Sequence, residues 1–242
     1  MTGAARVTPE TVRITSESET LQADLYGMLP STRAVILVHG ASWDATGWRD
    51  VAPLFAERGL PALALNLRGF DGSTGKTNRW GETWSGSTPA ESWSPVADLR
   101  AAKALLRARG AAQLALVGAS MGGHAILASS FDSDVECIVS VSAPVVAVAD
   151  ELSRRITGRK LFVCADGDTF GAAPHVRRCF DIVSRPKTLI MFGGEEHSRG
   201  MFATPYGAEA LEAIIASTRR TGRHPHVERA RIELGLRLIV AG

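Results

Sequence analysis

A serine framed by two glycines, Gly118-Ala119-Ser120-Met121-Gly122, lies between the apolar run Leu114-Ala115-Leu116-Val117 and the helix-like Gly123-His124-Ala125-Ile126-Leu127-Ala128. A serine hydroxyl attacks carbonyl carbon only when a base takes its proton and a third group steadies the base. Strand, tight turn and helix in this order present the hydroxyl of Ser120 clear of the strand end, as a nucleophile elbow does. Side chains at positions 118 and 122 would collide with the neighbouring strand and helix, so glycine suits both. The backbone N–H of Met121 heads the helix and points to where a negative oxygen would form.

The base and its partner are expected later in the chain, in the order serine, acid, histidine, each on a loop that follows a strand. The strand-like run 161–165 leads into Asp166-Gly167-Asp168, and the run 188–192 leads into Gly193-Gly194-Glu195-Glu196-His197. His197 is thus the expected general base and Asp168 its orienting carboxylate. Asp166 is the rival, although a residue so close to a strand end tends to point into structure. An isolated aspartate after a strand usually caps a turn, and an isolated histidine in a polar loop is usually just solvated. It is the order, the strand-end placement and the elbow together that single these residues out.

His39-Gly40-Ala41 follows another apolar run, where a second oxyanion donor belongs, so the N–H groups of Ala41 and Met121 form the expected oxyanion hole. His39 precedes the serine and reads as a structural residue of its turn. His124, on the helix after the elbow, reads as packed or partly exposed. None of Cys137, Cys164 and Cys179 sits on a glycine-flanked turn, and three scattered cysteines fit reduced thiols in a cytoplasmic protein. His224-Pro225-His226 lacks accompanying carboxylates or cysteines, so no metal is expected. No cofactor is required either.

The elements that must position these groups follow from periodicity. Residues 11–15 and 21–26 alternate apolar with polar positions and predict an antiparallel hairpin. Ala34–Val38, Leu60–Leu67, Val135–Val141, Leu161–Ala165 and Thr188–Phe192 are apolar runs of the kind buried on both faces of a parallel sheet. Helices are predicted over about 46–58 (closed by Gly59), from Ser94 as cap with Pro95 in its first turn to Gly110, and over about 147–156, 174–184 and 206–219. Alternating strands and helices imply an α/β fold, with a mostly parallel sheet of about eight strands covered on both faces.

The chain has 242 residues, 45% hydrophobic and 21% charged, which suits one large domain, here residues 1–222. A formal charge of +2 gives no reason to expect nucleic acid as a partner. No apolar run reaches the ~20 residues that span a bilayer, and the N-terminus lacks the apolar centre of a signal peptide. Residues 223–242 form a basic tail in which Ile232, Leu234, Leu236, Leu238 and Val240 alternate at strand period. It would dock on the domain edge or pair with another chain, which would make a homodimer.

The chain resembles the α/β-hydrolase superfamily over roughly residues 12–219. The likeness rests on Val35-Ile36-Leu37-Val38-His39-Gly40, Asn66-Leu67-Arg68-Gly69-Phe70-Asp71-Gly72-Ser73, Gly118-Ala119-Ser120-Met121-Gly122-Gly123, Asp168 and His197. Ala143 to Lys160 leaves room for about one helix, so the chain is similar to compact members without a lid, such as dienelactone hydrolases and small carboxylesterases. The resemblance, with serine at the elbow, implies hydrolysis of a small-molecule carboxylic ester through an acyl-enzyme. Thioesterase, amidase or peptidase and acyltransferase activities on the same residues are alternatives. A non-catalytic ligand receptor or scaffold is the alternative of another class. Pocket walls are expected from Trp43, from Trp80, Trp84 and Trp93 on the long loop of residues 71–93, and from Phe170 and Met201-Phe202 beside the acid and base loops.

Overall fold

Strands buried on both faces form where apolar residues run without interruption, and six such strands make the parallel centre of this protein. The computed structural model describes residues 8–77, 93–130, 135–144, 154–219 and 237–241, the last through their backbone. In chain order the strands are β1 (Glu10–Ser16), β2 (Glu19–Tyr26), β3 (Ser31–Val38), β4 (Ala62–Leu65), β5 (Ala111–Ala119), β6 (Val135–Val141), β7 (Arg159–Ala165), β8 (Lys187–Phe192) and β9 (Arg237–Ala241). Among the described residues they form one sheet in the order β1-β2-β4-β3-β5-β6-β7-β8-β9. Strands β4 to β8 and β3 run parallel, and the predicted hairpin β1–β2 joins antiparallel along β4.

The helices are α1 (Ala52–Ala56), α2 (Ser94–Ala108), α3 (Met121–Ala128), α4 (Ala172–Ile182) and α5 (Gly207–Arg219). The period of two in β3 divides the core into two layers. Ala34, Ile36 and Val38 join one layer with Leu99 of α2, Ile126 of α3 and Phe180 of α4. Val35 and Leu37 join the other with Phe55 of α1 and Ile214 of α5. The chain leaves β3 for β4 on one side and later enters β5 on the other. That reversal opens a crevice at the carboxyl ends of β3 and β5, the usual position of sites in such sheets.

Several elements depart from the sequence reading. The continuous helix expected over about 46–58 is a 3₁₀ turn, Ala45–Trp48, followed by the short α1. Pro53 explains the break: it fits the first turn of α1, but its ring would clash with a carbonyl one turn earlier. The cap of α2 is Trp93, not Ser94, with Pro95 in the first turn. The C-terminal strand adds a ninth to the sheet, and residues 237–241 pair antiparallel with β8 of the same chain. The rest of the tail, most of the helix expected over 147–156, and most of the loop of 71–93 lie outside the described residues.

A buried ionic cluster locks the hairpin edge to α2. Asp98 is wholly buried and accepts from the Nε of Arg68 at 2.9 Å, its Nη2 at 2.7 Å, its backbone N–H at 2.9 Å and the Ser16 hydroxyl at 2.8 Å. Arg68 also reaches the exposed Glu17 at 2.9 Å. Arg68 follows β4, so this cluster fixes the loop beyond that strand against both neighbours. Removing one member of a buried pair strands the other's charge, whereas an exposed ion pair contributes little. Asp98→Ala should therefore lower unfolding free energy by about 3 kcal/mol or more. Glu17→Ala should lower it by less than about 1 kcal/mol. Urea denaturation of both variants checks the contrast.

Candidate active site

The turn between β5 and α3 holds Ser120 at φ 52°, ψ −117°, a conformation that L-residues rarely adopt. The glycines permit it. A Cβ on Gly118 would lie 2.3 Å from the Gly122 carbonyl oxygen, and one on Gly122 would lie 2.4 and 2.5 Å from the carbonyl oxygens of Val38 and His39. Helix α3 thus packs its first turn directly on the end of β3. The first intrahelical bond runs from the His124 N–H to the Ser120 carbonyl at 3.1 Å. The N–H of Met121 precedes it, so it has no acceptor within the helix.

His197 presents its Nε2 to the Ser120 Oγ at 2.8 Å. Its Nδ1 lies 2.9 and 2.8 Å from the two carboxylate oxygens of Asp168. An ionised Asp168 can only accept, so Nδ1 carries the proton and Nε2 is left as the acceptor for the serine hydroxyl. Burial pushes the Asp168 carboxyl up. The His197 hydrogen bond and charge, with the Phe170 N–H, outweigh this and hold it below the ordinary carboxylate value. The Phe170 and Ala172 N–H groups donate to Asp168 Oδ1 at 3.0 and 3.4 Å, so the start of α4 braces the carboxylate.

The acid and base loops are bonded to each other through their backbones. Asp166 N–H donates to the Phe192 carbonyl at 2.8 Å, Gly167 N–H to Gly194 at 2.9 Å and Thr169 N–H to Glu195 at 3.0 Å. Glu196 accepts from the Tyr206 hydroxyl at 2.9 Å, and the Tyr206 ring stacks on Phe192 with centroids 4.6 Å apart. Ser198, directly after His197, also has a positive φ, 57°, and begins the 3₁₀ turn Ser198–Ala203. The rival carboxylate, Asp166, pairs instead with Arg177 on α4.

The other residues singled out by sequence fall into three groups. Ala41 lies on the turn after β3. Trp43 covers that turn: its indole Nε1 would be 2.6 Å from a Cβ on Gly40, and the Arg199 guanidinium stands 5.3 Å from its ring. Phe170 is exposed, with its ring centroid 4.5 Å from that of His197. Met201 is a correction: it is fully buried in the core layer of Trp48 and Ile214, because the 3₁₀ turn Ser198–Ala203 points it inward and away from solvent. Trp80 and Trp84 lie outside the described residues, as does His224-Pro225-His226. Trp93 is buried edge-on against His124, with centroids 5.1 Å apart.

His39 is buried. Its Nε2 accepts from the Leu67 N–H at 3.2 Å and its Nδ1 faces the Gly40 carbonyl at 2.8 Å, so it pins the ends of β3 and β4 together. All three cysteines are buried. The Cys164 Sγ lies 3.8 Å from Asp168 Oδ2, and burial together with that carboxylate pushes its thiol up to about 12, the opposite of a reactive thiolate. Among the described residues no three His, Cys, Asp or Glu side chains group as a metal site requires, and no helix is long and apolar enough to cross a membrane. Two features escaped the sequence reading: the Arg68–Asp98 cluster and the backbone pairing of the acid and base loops. A charge at position 98, on a helix face otherwise marked by Val96, Leu99 and Ala102, was the available signal for the first.

A family-wide sequence profile described as "Alpha/beta hydrolase family" matches residues 35–233. No curated protein sequence matches the chain. Among solved structures, an esterase of Pyrococcus furiosus is similar with TM-score 0.71 and 17% identity, over 88% of this chain and 94% of that one. Dienelactone hydrolase from Anabaena variabilis is similar with TM-score 0.69 and 16% identity, over 88% and 97%. A monoacylglycerol lipase of Paleococcus ferrophilus is similar with TM-score 0.65 and 17% identity, over 81% and 97%. At such identities the likeness is one of fold.

Two stability predictions arise from the elbow. Gly122→Ala should cost about 3 kcal/mol or prevent folding, since the added carbon meets backbone and not a movable side chain; thermal unfolding reads it. His124, buried beside Trp93, is held down to about 4 by burial, against a Pro144 backbone hydrogen bond that raises it, from an ordinary 6.5. Between those pH values the unfolded chain binds a proton that the folded chain refuses, so stability falls as pH drops from 6.5 to 4. The loss should reach about 3 kcal/mol and should be absent in His124→Leu, as measured by urea unfolding across that range. The Asp168 contribution is intact above its unfolded value of 3.8 and is lost only below it.

Proposed function

The chain belongs to the alpha/beta hydrolase family, and from that premise we propose that it is a serine hydrolase of small-molecule carboxylic esters. The observation that carries this reading is the 2.8 Å contact between the Ser120 hydroxyl and the one imidazole nitrogen free to accept a proton. In this mechanism His197 takes the serine proton as Oγ attacks the ester carbonyl carbon. The carbonyl oxygen becomes an oxyanion, which the N–H groups of Met121 and Ala41 receive; such a donor typically lowers the barrier by ~3 kcal/mol.

The C–O bond to the alcohol then breaks, and His197 returns the proton to the departing oxygen. Water enters, gives its proton to His197 and attacks the acyl-Ser120 ester, releasing the acid and restoring the serine. Asp168 keeps the imidazole in the tautomer that accepts from serine and stabilises its positive charge. Every step uses groups of this chain and water.

The test is a fluorophosphonate, whose phosphorus mimics the attacked carbonyl. Mass spectrometry should locate the adduct on the peptide containing Ser120, and Ser120→Ala should remove both labelling and turnover of acetate esters with no loss of folding. Labelling elsewhere, or unchanged turnover in Ser120→Ala, defeats the reading. Asp168→Asn should lower kcat by about 10⁴-fold through the wrong histidine tautomer. Asp166→Asn should change it by less than about threefold, because it loses only a surface ion pair. Steady-state kinetics on one ester separates the two carboxylates.

A further inference from the structure

Phe170 is 70% exposed, and apart from Met28 it is the only large hydrophobic side chain so exposed among the described residues. Met28 lies in the turn ahead of β3, at the opposite end of the parallel strands. Phe170 lies at the site itself. Its N–H is committed to Asp168 Oδ1 at 3.0 Å, and its ring leans over His197 with centroids 4.5 Å apart and planes 39° from each other. A large aromatic surface held in water beside a base, tethered through its backbone, calls for an apolar partner.

We infer that Phe170 forms the subsite for the alcohol portion of the ester and selects alcohols bearing an aromatic or similarly flat apolar group. The inference rests on the proposed ester hydrolysis. In that reaction the acyl carbon is bonded to Ser120 Oγ, and the oxyanion points at the Met121 and Ala41 N–H groups. The departing oxygen must face His197 Nε2, which gives it a proton. Whatever that oxygen carries therefore leaves the reaction centre alongside the imidazole, and the Phe170 ring is an apolar surface that flanks the imidazole. The acyl group points elsewhere and does not need this ring. Once the alcohol has gone, the Phe170 ring has no substrate group left to contact during hydrolysis of the acyl-enzyme. A ring that only shielded the Asp168–His197 pair from water would instead affect every ester, and both halves of the reaction, equally.

Two isomeric esters separate these roles: benzyl acetate has its ring on the alcohol, and methyl phenylacetate has it on the acid. Phe170→Ala should lower kcat/KM for benzyl acetate by about tenfold, the effect of losing one apolar contact surface. The loss on benzyl acetate should exceed any loss on methyl phenylacetate or methyl acetate by about fivefold or more, with Phe170→Leu intermediate on benzyl acetate. Circular dichroism confirms that each variant is folded. Equal losses on the two isomers, a loss confined to methyl phenylacetate, or wild-type labelling by fluorophosphonate without turnover of benzyl acetate overturns the alcohol subsite. Wild-type protein that neither labels at Ser120 nor cleaves any of the three esters defeats the underlying hydrolase reading instead.

Discussion

A left-handed backbone at one non-glycine residue sets the terms for the rest of this structure. Holding Ser120 there costs about 1–3 kcal/mol locally, and such a conformation persists only where its surroundings leave the chain no alternative. Here they do so by contact. Helix α3 starts so close to β3 that only hydrogen fits on Gly122 against the Val38 and His39 carbonyls, and only hydrogen fits on Gly118 against Gly122. The apolar layers on both faces hold β3, β5 and α3 in that proximity, so burial across the sheet sustains the strain in one turn. The same geometry leaves the first N–H groups of α3 without helical acceptors at the place where the hydroxyl emerges.

Much of this was legible in the chain, for a physical reason. Strands buried on both faces must be apolar at successive positions, and Val35–Val38, Leu114–Val117 and Leu161–Ala165 announce themselves in that way. A close backbone approach demands glycine, so Gly118 and Gly122 betray the elbow. Asp168 and His197 were legible through order and strand-end placement, and the structure places His197 within hydrogen-bond distance of Asp168 through one ring nitrogen and of Ser120 through the other. What was not legible lies between elements distant in sequence. Nothing local indicates that Arg68 and Asp98 meet, or that the backbone of Gly167 bonds to that of Gly194. The helix expected over residues 46–58 is divided because Pro53 fits the first turn of α1 but cannot continue a helix from the turn before it. Met201 is four residues from His197 in sequence yet faces the core, because proximity along the chain says nothing of which way a 3₁₀ turn points.

The two edges of the sheet are completed differently. On one side the hairpin β1–β2 is secured by buried charge, with Asp98 accepting from Arg68 and from Ser16 of β1. On the other side β9, from the far end of the chain, runs antiparallel to β8. Strand β8 is the strand that delivers the His197 loop, so the last residues of the chain cover the flank of the element that carries the base. An uncovered strand offers its N–H and carbonyl groups to any passing chain, and this pairing occupies those of β8.

The bonds between the acid loop and the base loop have a mechanical meaning. Because three backbone contacts join residues 166–169 to residues 192–195, the positions of Asp168 and His197 relative to Ser120 are set jointly and not one loop at a time. Lengthening either loop would displace both side chains from Ser120 together, whereas a substitution at Trp43 or Phe170 would reshape the walls of the crevice and leave the two loops at fixed length.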